Sequence, residues 1–249
     1  MSGPENDFVQ AFAPRVVYED NHYVVVNKLP SEIVQGDKTG DRPLAELVRE
    51  YIRLRYEKPG AAFLGVAHRI DRPVSGLVIF ARTSKGLARI NALLQKREVQ
   101  KTYWAVVKDI PVPGQGQLVH FLARNEKQNK SYAVSESAPG AKRAVLNYRL
   151  LATGQRYSLL EVELLTGRHH QIRAQLSAIG CPIKGDLKYG SPRSNENGSI
   201  HLHARSVGFV HPVNGERIDL VAPVPPGDPL WAWFEQAVAG KPHDTSPIR

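Results

Sequence analysis

Apolar residues fall in short runs whose period switches between two and 3.6 residues. Residues 15–28 read as a strand, an Asp20-Asn21 turn and a second strand. Leu44, Leu47, Val48, Tyr51 and Ile52 recur at helical spacing and predict a helix over 43–56, with Pro43 near its first turn, where a missing N–H costs nothing. The unbroken apolar run Leu77–Phe80 predicts a buried strand over 77–81. Thr83 or Ser84 then caps a helix to about Arg97, with Leu87, Ile90 and Leu94 on its inner face. Residues 102–107 read as a strand with Tyr103, Ala105 and Val107 on one face and Thr102, Trp104 and Val106 on the other.

Residues 109–144 read as an irregular excursion, Pro/Gly-rich and then basic through Arg124, Lys127, Lys130, Lys142 and Arg143. Strands resume over 144–151 and 157–165. A helix over 170–179 ends at Gly180 and Pro182, strands follow near 200–210 and 216–221, and Asp228 caps a terminal helix. Strands and helices do not alternate regularly, which argues against a doubly wound parallel sheet. The expected fold is α+β: a mixed, mostly antiparallel sheet with flanking helices. No repeat, heptad or clean linker appears, so the expectation is a flexible tail over 1–14, one domain over 15–238 and a C-terminal tail over 239–249.

Charge narrows the function. Lys and Arg number 33 against 24 Asp and Glu, a formal net charge of +9, which favours a polyanionic partner such as nucleic acid. The single cysteine, Cys181, excludes an intrachain disulfide and a cysteine-based zinc site. No signal-peptide pattern or membrane-length apolar run is present, so a soluble cytoplasmic protein is expected.

Two segments are dense in chemistry. In Ala67-His68-Arg69-Ile70-Asp71-Arg72-Pro73-Val74-Ser75-Gly76, one carboxylate stands between two arginines just before the buried run. It reads either as a surface turn with a local Asp–Arg pair or as a nucleophile or phosphate-reading loop. In Thr166-Gly167-Arg168-His169-His170-Gln171-Ile172-Arg173, a strand end, a turn and a helix start carry two arginines, either as an anion site or as a basic helix start that only packs. His169 and His170 lack metal-ligand spacing, and adjacent helical residues point ~100° apart. No P-loop, dinucleotide turn or nucleophile elbow occurs.

Taken together, these segments resemble the RluA-type pseudouridine synthases. The family's His-Arg-Leu-Asp followed by Ser-Gly is matched by His68-Arg69-Ile70-Asp71 with Ser75-Gly76. Its Gly-Arg-x-His-Gln-Ile-Arg is matched by Gly167 to Arg173, and its Lys-x-Tyr strand by Lys101-Thr102-Tyr103. Pro182 to Asp186 with Tyr189-Gly190, Leu202-His203-Ala204 before His211-Pro212, and Val25-Val26-Asn27-Lys28 complete the order. Val74 stands where the family usually has Thr, and Gln175 where it has His; Leu29-Pro30-Ser31 replaces Pro-Ser-Gly.

The resemblance implies conversion of uridine to pseudouridine in structured ribosomal or transfer RNA, without cofactor or metal. It implies Asp71 as nucleophile, Arg173 as the cation that keeps a buried Asp71 ionised, and Tyr103 as the residue that stacks on uracil. Unit charges about 4 Å apart attract by ~4 kcal/mol at an effective dielectric near 20, before desolvation is subtracted. Arg69 would support the flipped-out nucleotide. His68, Arg168 and His170 are expected at the RNA, and Leu202 as an apolar wall of the site. The family's additional N-terminal S4 domain is not expected, since about 15 residues precede the first strand, and a monomer is expected. Two other classes stand beside this reading: a catalytically inactive RNA-binding or ribosome-assembly protein of the same fold, and a metal-dependent hydrolase using Asp71 and the histidines.

Overall fold

The computed structural model describes residues 3–37 and 39–240. The elements run α1 (Pro4–Phe12), β1 (Val16–Glu19), β2 (Tyr23–Lys28), α2 (Leu44–Arg55), β3 (Gly65–Val66), β4 (Ser75–Ala81) and α3 (Ser84–Lys96). Then come β5 (Gln100–Val107), β6 (Gln115–Asn125), β7 (Lys130–Val134), β8 (Lys142–Thr153) and β9 (Ser158–Leu164). Last are α4 (Gln171–Ala178), β10 (Leu202–Val210), β11 (Arg217–Val221) and α5 (Pro229–Ala239). The fold is α+β, as expected.

The described residues form two compact units interleaved in the chain. One takes the residues up to Val99 with Ser206–Pro223; the other takes Gln100–Arg205 with the residues from Val224 on. Each unit uses two separate stretches, which is why no linker is visible in the sequence.

In the first unit β2 pairs antiparallel with β1 and β4, and β3 also pairs with β4. All seven residues of β4 are buried. Leu77, Ile79 and Ala81 pack with Tyr23 and Val25 of β2 and Ile90 of α3. Thr83 caps α3, its Oγ1 accepting from Gly86 N at 2.9 Å. The segment expected as a loose tail contains α1. Pro at its first positions suits a helix start, and Phe12 lies 5.4 Å from the Tyr51 ring of α2, so aromatic burial holds it. The expected C-terminal tail lies, from residue 241, outside the described residues.

In the second unit β5 pairs with β9, β9 with β8, β8 with β6 and β6 with β7, all antiparallel. The supposed irregular excursion is therefore a long hairpin, β6–β7, beside β8. Leu122 is the one buried residue of β6, so the strand lacks the apolar run by which buried strands are read. Trp104 and Val106 of β5 pack with Leu159, Trp231 and Phe234 under α5. Asp228 caps that helix by accepting from Leu230 N and Trp231 N.

Candidate active site

Asp71 belongs to the first unit, in the turn between β3 and β4. Asp71 O accepts from Val74 N at 3.0 Å, closing a turn directly before the strand. The turn is held from below by Lys28, the last residue of β2, whose side chain is fully buried. Lys28 Nζ donates to the carbonyls of Leu29 (2.8 Å), Glu32 (2.8 Å) and Arg72 (3.0 Å). Burial pushes the pKa of Lys28 down to about 7, while the Glu32 and Asp71 carboxylates pull it back up. Ser31 N donates to the same Arg72 carbonyl, so the backbone directly after Asp71 is pinned.

Asp71 is half-buried rather than buried, a correction to the expected deep carboxylate: Ile70 beside it fills the core and leaves Asp71 at the rim. His68 is half-buried, and its Nε2 accepts from Ile79 N at 3.2 Å. Arg69 is exposed; Arg72, also exposed, pairs with Asp41.

Tyr103, Arg168, His170, Arg173 and Leu202 belong to the second unit. Register settles the face of Tyr103: it pairs with Val162, and Val162 with Tyr148. Steps of two along β8 lead to Leu146 and Ala144, and Ala144 packs against Ala174 of α4 and Tyr189. Tyr103 thus lies on the α4 side of this sheet, with 8% of its surface exposed. The rings of His201 and His203 both lie near Trp231, on the α5 side, so Leu202 between them turns to the side of Tyr103. Tyr103, Leu202 and the helix carrying Arg173 share one face.

A network around Gln171 builds the loop before α4. Thr166 Oγ1 donates to Gln171 Oε1 (2.8 Å), Arg168 N donates to the same oxygen (2.9 Å), and Gln171 Nε2 donates to Val145 O (3.0 Å). Arg168 is exposed, with Nε on the Arg143 carbonyl at 3.0 Å. His170 adopts the left-handed conformation (φ 52) at the helix N-cap. Its Nδ1 lies 2.9 Å from the Tyr189 hydroxyl, which also accepts from Ser131 N at 2.8 Å. Burial, with Arg173, His169, Lys188 and Arg124 adding like charge, pushes the pKa of His170 down to about 2. Burial therefore favours the neutral ring of His170, which rests against the Tyr189 hydroxyl.

Arg173 is buried against Asp186, with Nε 2.7 Å from Oδ2 and Nη2 2.9 Å from Oδ1, and its guanidinium lies 5.0 Å from the Tyr189 ring centre. Gln175, in the family's usual His position, is fully buried, and its Nε2 donates to Leu118 O and Ala144 O and lies 3.1 Å from His120 Nδ1. Asp186, Tyr189, Gln171 and Lys28 were not singled out as site residues in the sequence, although each lies in a matched motif. No group of His, Cys, Asp or Glu among the described residues is placed to hold a metal ion, and no helix among them is long and apolar enough to cross a membrane.

The sequence profile of the RNA pseudouridylate synthase family matches residues 22–178. The chain is 32% identical over 233 residues to the ribosomal large subunit pseudouridine synthase D of Zymomonas mobilis, covering 89% of this chain and 73% of that protein. The chain belongs to this family. It is an RNA pseudouridine synthase, an isomerase. The synthase D of Haemophilus influenzae is 33% identical, with 84% of this chain and 67% of the relative covered. An RNA pseudouridine synthase of Chloroflexus aurantiacus is 40% identical over 65% of this chain and 50% of its own. In fold, the synthase is similar to human RNA pseudouridylate synthase domain containing 4, with a TM-score of 0.76 at 22% identity over 94% of this chain and 97% of the human one.

Proposed function

We propose that this synthase isomerises uridine in large-subunit ribosomal RNA, with residues 15–238 as its catalytic domain, acting as a cytoplasmic monomer without metal or cofactor. The N1–C1′ bond breaks, the uracil turns in place, and a C5–C1′ bond forms; the C5 proton is lost and N1 gains one. Asp71 is the nucleophile. Arg173 stabilises its ionised form, and Tyr103 stacks on the uracil and manages the C5 proton. Arg69 supports the flipped-out nucleotide, His68 and Arg168 face the RNA, His170 braces the loop that carries Arg168, and Leu202 walls the site.

The observation that carries this reading is the Asp71 turn, a carboxylate at the rim of the core whose flanking backbone is pinned through the Arg72 carbonyl. The ribosomal target rests on what relatives at 32% and 33% identity are named for. The test is tritium release from a large-subunit RNA transcript carrying 5-tritiated uridine. Release by the wild type and none by Asp71→Asn supports the reading. No release from that transcript but release from transfer RNA moves the target, and no release from either leaves the inactive RNA-binding protein.

A further inference from the structure

We infer that Asn195 is a positioning residue for Arg173: with His201 it clamps the backbone of Gly185-Asp186, the segment whose carboxylate grips the Arg173 guanidinium. The inference rests on the role proposed above for Arg173 and traces that role to a loop outside the matched motifs. All the residues involved lie in the second unit. Gly185 is left-handed (φ 88), and a Cβ there would stand 2.8 Å from Asn195 Nδ2 and 2.8 Å from Ser199 O. Only glycine lets the loop come that close. Gly185 N donates to Ser191 Oγ at 3.1 Å, and Tyr189 N and Ser191 N both donate to Asp186 O at 3.0 Å. The backbone of Asp186 is thus built into the loop that Asn195 closes.

Donors and acceptors through Asn195 admit one arrangement. Lys184 Nζ can only donate, and it lies 2.7 Å from Asn195 Oδ1. The amide nitrogen therefore turns to Ser199 Oγ (3.1 Å) and to His201 Nδ1 (3.0 Å). A ring nitrogen that faces an amide NH2 must accept, so His201 carries its proton on Nε2. That nitrogen lies 3.0 Å from Asp228 Oδ2, a close polar contact rather than a straight hydrogen bond. His201 is buried and stacks on Trp231 of α5, with ring centres 5.2 Å apart. Burial, with Lys184 adding like charge, keeps its pKa below the usual 6.5 although Asp228 opposes this, so the ring is neutral. Backbone fixes both ends of the clamp: His201 N donates to Lys184 O and Lys184 N to Val106 O of β5, each at 2.9 Å. Asn195 sets the loop against Gly185, and Asp186 follows as the next residue. Displacing the guanidinium that Asp186 holds costs rate, because transition-state contacts depend on geometry.

The test uses the full chain with Asn195→Leu and, separately, Asn195→Asp. The readouts are nitrogen NMR of histidine-labelled protein and tritium release from the large-subunit RNA transcript. At pH 7 the wild-type His201 ring is expected to be neutral with its proton on Nε2. In Asn195→Asp the carboxylate still accepts from Lys184 but also faces His201 Nδ1 as an acceptor. The ring then takes up a second proton and titrates about one pH unit higher or more. Asn195→Leu is expected to lower kcat ~10-fold or more with KM unchanged, because Arg173 acts on the reacting group, and Asn195→Asp to keep most of the wild-type rate. A role in stability alone gives a lower unfolding midpoint for Asn195→Leu with wild-type kcat in the folded enzyme, and that result overturns the inference. So does a wild-type His201 protonated on Nδ1, an unmoved His201 titration in Asn195→Asp, or an Asn195→Asp rate no better than that of Asn195→Leu. Where Asn195→Leu does not fold, the tautomer and the Asn195→Asp measurements decide. The expected NMR result with no tritium release by the wild type sustains the clamp while the proposed reaction fails.

Discussion

Asp186 grips Arg173 through two parallel hydrogen bonds, Nε to Oδ2 at 2.7 Å and Nη2 to Oδ1 at 2.9 Å, with both side chains buried. Two bonds at fixed angles set the plane of the guanidinium as well as its place. Asp186 is thus a positioning residue for the group proposed to stabilise Asp71. Removing it breaks a bidentate pair between two buried side chains, a change that costs ~3–5 kcal/mol. Asp186→Ala is expected to lose stability of that order in urea unfolding, and Asp186→Asn to lose less stability yet still lower kcat. A cost below ~1 kcal/mol for the alanine variant contradicts the pairing.

Asp71→Asn and Asp71→Ala are expected to abolish pseudouridine formation while RNA binding and unfolding midpoint persist. The turn itself survives, because Val74 N bonds to the Asp71 backbone oxygen and not to its carboxylate. Retained turnover in either variant, measured by tritium release, removes Asp71 as nucleophile.

The sequence displays the Asp71 turn because a charged segment meets the apolar run Leu77–Ala81 of a buried strand. A two-residue period puts Tyr103 on the face opposite Trp104, and the packing of Trp104 beneath α5 agrees. The partner of Arg173 was not legible: Asp186 stands thirteen residues later in a loop, where no period links the two. Nor was the burial of Lys28, because a lysine at a strand end ordinarily reaches solvent, and only the folded turn supplies three carbonyls to one ammonium. The β6–β7 hairpin was hidden because half of its residues face water, so its strands read as polar chain.

Lys28→Met is expected to destabilise the fold although methionine fits an apolar site. Below pH 7, where Lys28 is protonated, the substitution removes a costly buried charge but strands three carbonyls, each of which loses a charge-assisted donor worth ~1.5–3 kcal/mol. The donors outweigh the desolvation relief, and a net loss of ~2 kcal/mol or more is expected in chemical denaturation. A variant as stable as the wild type shows that water replaces the ammonium.

Arg69 is exposed beside the buried Ile70, one residue from Asp71, so its guanidinium is available to RNA. Flipping a uridine out of a helix costs a few kcal/mol that a short single strand does not require. Arg69→Ala is therefore expected to lose ~10-fold or more in kcat/KM on folded RNA and little on a short single-stranded substrate. Equal losses on both substrates rule out support of the flipped state.

The neutral state of His170 makes stability depend on pH with a definite sign. Burial, joined by the charges of Arg173, His169, Lys188 and Arg124, lowers its pKa from the usual 6.5 to about 2 in the fold. In the unfolded chain the ring is protonated below 6.5, so between 6.5 and 2 the unfolded state binds about one more proton. The stabilisation is complete above pH 6.5 and is lost progressively on acidification. Burial lowers the pKa values of His120 and His201 too, so they contribute in the same direction. His170→Asn keeps a side chain that tolerates the left-handed backbone at this position and removes the titrating ring. Urea unfolding of wild type and variant from pH 7.5 to 5.5 is expected to show a shallower pH slope in the variant, by about half a proton or more at the acid end. Identical slopes mean that His170 is charged in the fold, in conflict with its place among Arg173, Arg124 and Lys188.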